Sequence, residues 1–441
     1  MFTIVKIFKI ENYFLLFFLI YGSIYAIITP PFYVSDEMGH FNKAASKEIV
    51  FFNSDLKISK SARDFSEYEK FNYYIYKKSE NYKFKKSEIL NTKSFFFWDN
   101  EIVDATTQSL KNYPITGYWP QKIGINISKL FTDKILYSFY AGRLFNLFVC
   151  SLIIFVCLKK ISNSREIVII VCFLPMTLSI MGSHNQDAIF ISYTILLITI
   201  ISSMIEKYNV YKLLSILMVS TILIITKPPY LPIYFVVYYF IYEYVKKAKF
   251  KYFNIFSIIF IFLICIYISN YEIDKISENN KIQQIKFLLT NPLIYIEIIF
   301  NDLAIHFPKY VMGVIGHLGH NDILLNKLYY YIYLLFISLI ILISFLNNLN
   351  IFNLRTFVIL FSCISIFLSL QLSQYLYFTA PGKTNFIQGL VGRYLLPIII
   401  IFSLIFPKVN NYKLKNLNKN ILLIIPHLNI WAIYKLYIFF Y

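Results

Sequence analysis

The sequence predicts an all-α, polytopic integral membrane protein, and three observations carry that reading. Hydrophobic residues fill 58% of the 441 positions and charged residues only 15%, too few to clothe a water-soluble globule. The apolar residues come in long runs, such as Val168 to Leu178, Ile189 to Met204 and Ile332 to Phe345. These are apolar on every face and so read as helices, not as the alternating strands of a membrane barrel. The net charge of +18 gathers in short clusters beside those runs, among them Lys159/Lys160/Arg165, Lys246/Lys247/Lys249/Lys251 and Lys408/Lys413/Lys415/Lys419. Basic flanks mark cytoplasmic loops, so the charge is topological and does not imply nucleic acid as a partner.

The elements follow in order. Tyr13 to Thr29 is the first span; Pro30-Pro31 follows it where a signal peptide would carry small residues for cleavage, so it is read as a retained anchor. Residues 30–137 form the one long hydrophilic stretch, expected as a folded extracytoplasmic loop subdomain. Further spans are expected at 139–158, 166–182, 187–205, 211–226, 230–245, 253–270, 327–346, 355–372, 393–406 and 420–438, about eleven helices in one membrane domain of residues 1–441, with 271–326 as a second extracytoplasmic loop. Threaded alternately, they put the basic clusters on one side, with the N-terminus cytoplasmic. The five cysteines lie in apolar runs and make no CxxC pair, so neither a metal knuckle nor a disulfide framework is indicated.

Candidate chemistry gathers at the other side. In Pro30-Pro31-Phe32-Tyr33-Val34-Ser35-Asp36-Glu37-Met38-Gly39-His40 the prolines stop the first helix and Ser35 can cap a new one. Asp36 and His40 then share a face with Glu37 adjacent. Such a group can take a proton from a hydroxyl or hold Mg²⁺ or Mn²⁺; equally, Asp36 and Glu37 suit the first turn of any helix. In Gly182-Ser183-His184-Asn185-Gln186-Asp187, Asp187 can orient a sugar hydroxyl and His184 a phosphate, or the segment can be a capped hairpin tip. Lys227, before Pro228-Pro229, needs an anionic partner at membrane depth or must snorkel. Arg393, followed by Tyr394, can fork onto phosphate oxygens or anchor a boundary. His317 and His320 with Asp322 have metal-like spacing in a glycine-bearing loop, and Arg143 reads as a boundary anchor. Gly382-Lys383-Thr384 lacks the first glycine of a P-loop, whose place Tyr377 takes.

The ordered motifs PPFYVSDEMGH, NYPITGYWPQKIGI, GRLFNL, LPM with SHNQD, TKPPYLP and QGLVGRYLLP resemble the DUF2142 family of bacterial membrane proteins over most of the chain. The resemblance implies likeness to the GT-C fold of membrane glycosyltransferases, which draw sugars from polyprenyl-phosphate carriers at the outer face of the plasma membrane. It implies that Asp36 is the essential acid, with Glu37 and His40 beside it. The expected activity is transfer of a sugar from a polyprenyl-phosphate donor to a surface glycan or lipid-linked acceptor, Asp187, His184, Lys227, Arg393 and Tyr394 binding substrate. A flippase of lipid-linked glycans is the alternative, and a scaffold for other glycan enzymes a third reading.

Overall fold

The computed structural model describes residues 10–46, 56–68, 96–106, 110–111, 113–161, 163–206, 209–248, 275–347, 353–379, 386–406 and 412–441. They form a helical bundle. The helices are α1 (Ile10–Ile28), α2 (Glu37–Ala45), α3 (Trp119–Lys129), α4 (Ile135–Lys160), α5 (Arg165–Cys172), α6 (Pro175–Met181), α7 (Asp187–Glu206), α8 (Val210–Thr226), α9 (Ile233–Ala248), α10 (Lys275–Thr290), α11 (Pro292–Gly316), α12 (Lys327–Asn347), α13 (Leu354–Phe378), α14 (Leu396–Phe402) and α15 (Tyr412–Phe440). The described residues also include two short antiparallel pairs: β1 (Lys57–Ser59) with β2 (Ile102–Asp104), and β3 (His317–Leu318) with β4 (Ile323–Leu324).

Most expected spans fall within a few residues of a helix, because a long apolar run has no other way to satisfy its backbone in lipid. The count differs. Seven helices among the described residues are long and apolar enough to cross a membrane, while α8, α9 and the segment Gly392–Ile405 are shorter. The span expected over 166–182 is broken into α5 and α6 at Pro175, which has no N–H to continue the first helix. The span expected over 253–270 lies outside the described residues.

Residues 271–326, expected as a loop, instead hold α10 and α11. The second runs for 25 residues and is among the seven membrane-length helices. Its contacts explain how a helix fits there. Ile298 clusters with Tyr375 and Ile387, Asp302 accepts from Gln371 Nε2 at 3.3 Å and the Ile387 amide at 3.2 Å, and Gly313 abuts Gly392. These partners lie toward the end of the bundle that carries Arg393, so α11 stays with that end over this stretch.

One large core joins the long helices. A second core, with Phe32, Phe41, Ile58, Phe65, Tyr118, Ile125 and Phe139, seats the first-loop segments on the start of α4. The helix ends sort cleanly. The C-termini of α1, α6, α8 and α13 and the N-termini of α4, α7 and α9 meet at one end, and Lys159, Lys160, Arg165, Lys212 and Arg355 fall at the other.

Gly392 is the tightest crossing. A Cβ there would fall inside contact distance of backbone atoms of Tyr310, Gly313 and Val314, none of which can rotate away. Gly392→Ala should therefore push the Arg393 turn off α11 and cost about 1–3 kcal/mol, seen as a lower Tm in detergent; an unchanged Tm would show that the crossing is looser than described.

Candidate functional site: a row of charges at one end of the bundle

The site is built on the turn that follows α1. Pro30-Pro31 ends the helix, and both Phe32 and Asp36 take left-handed backbone conformations, φ 65° and 64°. Phenylalanine rarely does so and aspartate does so more readily, so the turn must be held from outside. Glu37 holds it. Its fully buried carboxylate accepts from the Phe32 amide at 3.1 Å, the His184 amide at 3.1 Å, Arg143 Nε at 2.8 Å and Arg143 Nη2 at 2.5 Å. Burial pulls the Glu37 carboxyl upward, but Arg143 outweighs it and keeps the group below its ordinary value.

Arg143 is no boundary anchor. It sits eight residues into α4, about 12 Å along the helix, wholly buried. It also donates to the carbonyls of Ala26, Thr29 and Pro30 at 2.8, 2.6 and 3.1 Å. The guanidinium thus caps the last turn of α1 and grips Glu37 together.

The positive φ at Asp36 turns it away from Glu37. The two carboxylates and His40 therefore do not converge as a ligand set: Glu37 faces Arg143, Asp36 pairs with Arg393, and His40 Nδ1 shares a 2.8 Å hydrogen bond with the Tyr118 hydroxyl. Among the described residues no group of three or more His, Cys, Asp or Glu side chains is arranged to hold a metal ion.

Four charges from four distant segments instead form a row. Lys227, the residue capping α8, pairs with Asp187 in the first turn of α7; Asp187 lies 3.3 Å from Arg393 Nε; and Arg393 pairs with Asp36. The side chains of Arg393 and Asp187 are 5% and 6% exposed and that of Asp36 is 59% exposed, so the row runs from buried to accessible and ends in a carboxylate. Desolvation works to raise the Asp36 carboxyl, but Arg393, with His40 and His320, holds it below its ordinary value. It is a carboxylate at neutral pH.

The surroundings fix these groups. The Asn185 side chain accepts the Asp187 amide at 2.9 Å, Asn146 and Gln121 hold the carbonyls of Ser183 and His184, and the Tyr230 hydroxyl donates to the Tyr394 carbonyl at 2.5 Å. The Lys227 ammonium lies 4.6 Å from the centre of the Tyr394 ring. His184, expected beside a phosphate, is enclosed between Phe41 and Phe139 with Nε2 2.9 Å from the Phe139 carbonyl. The His317–Asp322 segment is a hairpin clamp: its Gly319 carbonyl accepts the Ser35 amide at 3.2 Å, and His320 Nε2 lies 2.9 Å from the Phe32 carbonyl.

Tyr113, near the row, and Tyr118, bonded to His40, both come from the first-loop segments and were not singled out from sequence. Burial, with Tyr394, Asp187 and Asp36 nearby, raises the Tyr113 phenol above its ordinary value, so it stays protonated and can donate.

The fold and this site define a polytopic helical membrane protein with an acid at the accessible end of a buried charge row. The chain belongs to the DUF2142 family, described as predicted membrane proteins, whose model matches residues 17–402; all four charged residues of the row lie within that stretch. No curated protein and no solved structure matches it.

Burial pushes His40 and His184 down to about 4, below the 6.5 of a free imidazole. The unfolded chain then binds more protons between pH 6.5 and 4, so stability is full above pH 6.5 and falls as pH drops through that window, by on the order of 3 kcal/mol per histidine. Tm in detergent should fall from pH 7 to 4.5, and His40→Asn should flatten the fall. An identical pH profile in the variant would show that His40 is not held neutral.

Proposed function

We propose that the protein is a glycosyltransferase that moves a sugar from a polyprenyl-phosphate donor to a surface glycan or lipid-linked acceptor. The observation that carries this reading is the accessible Asp36 carboxylate beside the buried Arg393, with Lys227 further along the same row. In the reaction, Asp36 accepts the proton of the acceptor hydroxyl as its oxygen bonds to the anomeric carbon. The bond from that carbon to the phosphate oxygen breaks, and its electron pair leaves with the polyprenyl phosphate. Attack opposite the leaving group inverts the centre.

The leaving phosphate is an anion, and Arg393 and Lys227 are the cations placed to stabilise it. Within the row Asp36 and Asp187 compensate those charges. A donor phosphate at Arg393 competes with Asp36, and the freed carboxylate becomes available to the acceptor. The donor bond stores the driving energy, so the reaction needs no ATP. We place the reaction at the extracytoplasmic face of the bacterial plasma membrane. The basic residues Lys159, Lys160, Arg165, Lys212 and Arg355 at the opposite end of the bundle support that orientation.

Deletion of the gene, complemented by wild type or Asp36→Asn at matched membrane abundance, tests the reading by the masses of surface glycans and lipid-linked precursors. Loss of one sugar mass, restored by wild type and not by Asp36→Asn, is expected. Accumulation of a complete lipid-linked glycan would point to transport instead, and unchanged glycans would contradict the proposal.

A further inference from the structure

The first-loop helix α3 carries an apolar face that the described residues of its own subdomain leave unused. Pro120, Gln121, Gly124, Ile125 and Ser128 are buried, whereas Ile123, Ile127, Leu130 and Phe131 are 38%, 44%, 79% and 84% exposed. The exposed four recur at i, i+4, i+7 and i+8 from Ile123, one stripe along the helix and the turn that ends it. Water is a poor neighbour for such a stripe.

Its direction says what covers it. Gly124 lets α3 lie flush on Ala141, Gly142 and Phe145 of α4. The outward face of α4 carries Phe148, Leu152 and Val156, exposed at steps of four residues, and α4 is a membrane-length apolar helix. Between the two helices runs an apolar groove of about 410 Å³ lined by Ile127, Phe131, Leu144, Phe145 and Phe148 among others. The stripe of α3 therefore continues the lipid-facing stripe of α4 without a break.

A second observation sets the level. Around the top of the α3–α4 hairpin lie Lys129, 3.5 Å from the centre of the Trp98 ring, and Lys134, 5.8 Å from that of Tyr137. Paired aromatic and basic side chains of this kind collect at the boundary between headgroups and acyl chains.

We propose that α3 is an interfacial helix whose Ile123, Ile127, Leu130 and Phe131 are inserted among the acyl chains of the leaflet at the Asp36 end of the bundle. It ties the first-loop segments to the lipid surface.

Nitroxide labels at Leu130→Cys and Phe131→Cys test this, in a Cys265→Ser chain whose Cys150, Cys157, Cys172 and Cys363 are buried. Glu101→Cys, on the exposed β2 side of the same subdomain, is the water reference. With the full chain in phosphatidylcholine–phosphatidylglycerol vesicles, collisions with oxygen should exceed those with a water-soluble nickel complex several-fold at 130 and 131, with the reverse at 101. Nickel collisions at 130 and 131 equal to those at 101 would place the stripe in water. Low collision with both reagents would place it against protein. Either result overturns the proposal.

Discussion

The buried ion pair between Glu37 and Arg143 is the constraint on which the Asp36 end of the molecule depends. Two ions removed from water are costly, and the cost is recovered only when every lone pair and donor is used. Here four donors converge on the Glu37 carboxylate and Arg143 spends its remaining hydrogens on three carbonyls at the end of α1. The pair therefore joins the α1 exit, α4 and the segment before α7 in one network. It also forces the left-handed turn that sends Asp36 outward while its neighbour goes in.

The second network, Lys227–Asp187–Arg393–Asp36, differs in kind. Its formal charges sum to zero, so it can sit at the end of a membrane bundle without a large field, yet its last member is open to solvent. A row whose charges are balanced but which has one exposed partner can exchange that partner for an incoming anion. The first network sets geometry; the second is where chemistry can enter. The hairpin at Gly319 and the Gly392 crossing hold the two in register, one on the Ser35 amide and the other beside Arg393.

Much of the helical frame is legible in the sequence, because apolar runs such as Asp187–Glu206 and Lys327–Asn347 leave the backbone few alternatives. Pro292–Gly316 is not, since Glu297, Asp302, His306 and Lys309 disguise it as a loop. Asp302 turns inward, accepting from Tyr310 at 2.7 Å with His306 2.9 Å away, while Leu293, Phe300 and Phe307 face out. That is the reverse of a soluble amphipathic helix. Arg143 was misread because the span beginning at Ile135 was expected to begin at 139, which put a residue two turns deep at the boundary. Lys227's need for an anion was readable, but its partner and the Asp36–Arg393 pairing across 357 positions are products of tertiary packing. The parting of Asp36 from Glu37 depends on one backbone angle that neither residue announces.

A double-mutant cycle across Glu37 and Arg143 tests the central claim most directly, with Glu37→Gln, Arg143→Gln and the pair together compared by thermal unfolding in detergent. If the ion pair is the keystone, each single change strands a buried charge and costs about 3–5 kcal/mol. The double variant then costs well under the sum of the two. Strictly additive losses would show that the two residues act independently and that the turn carrying Asp36 is held by something else.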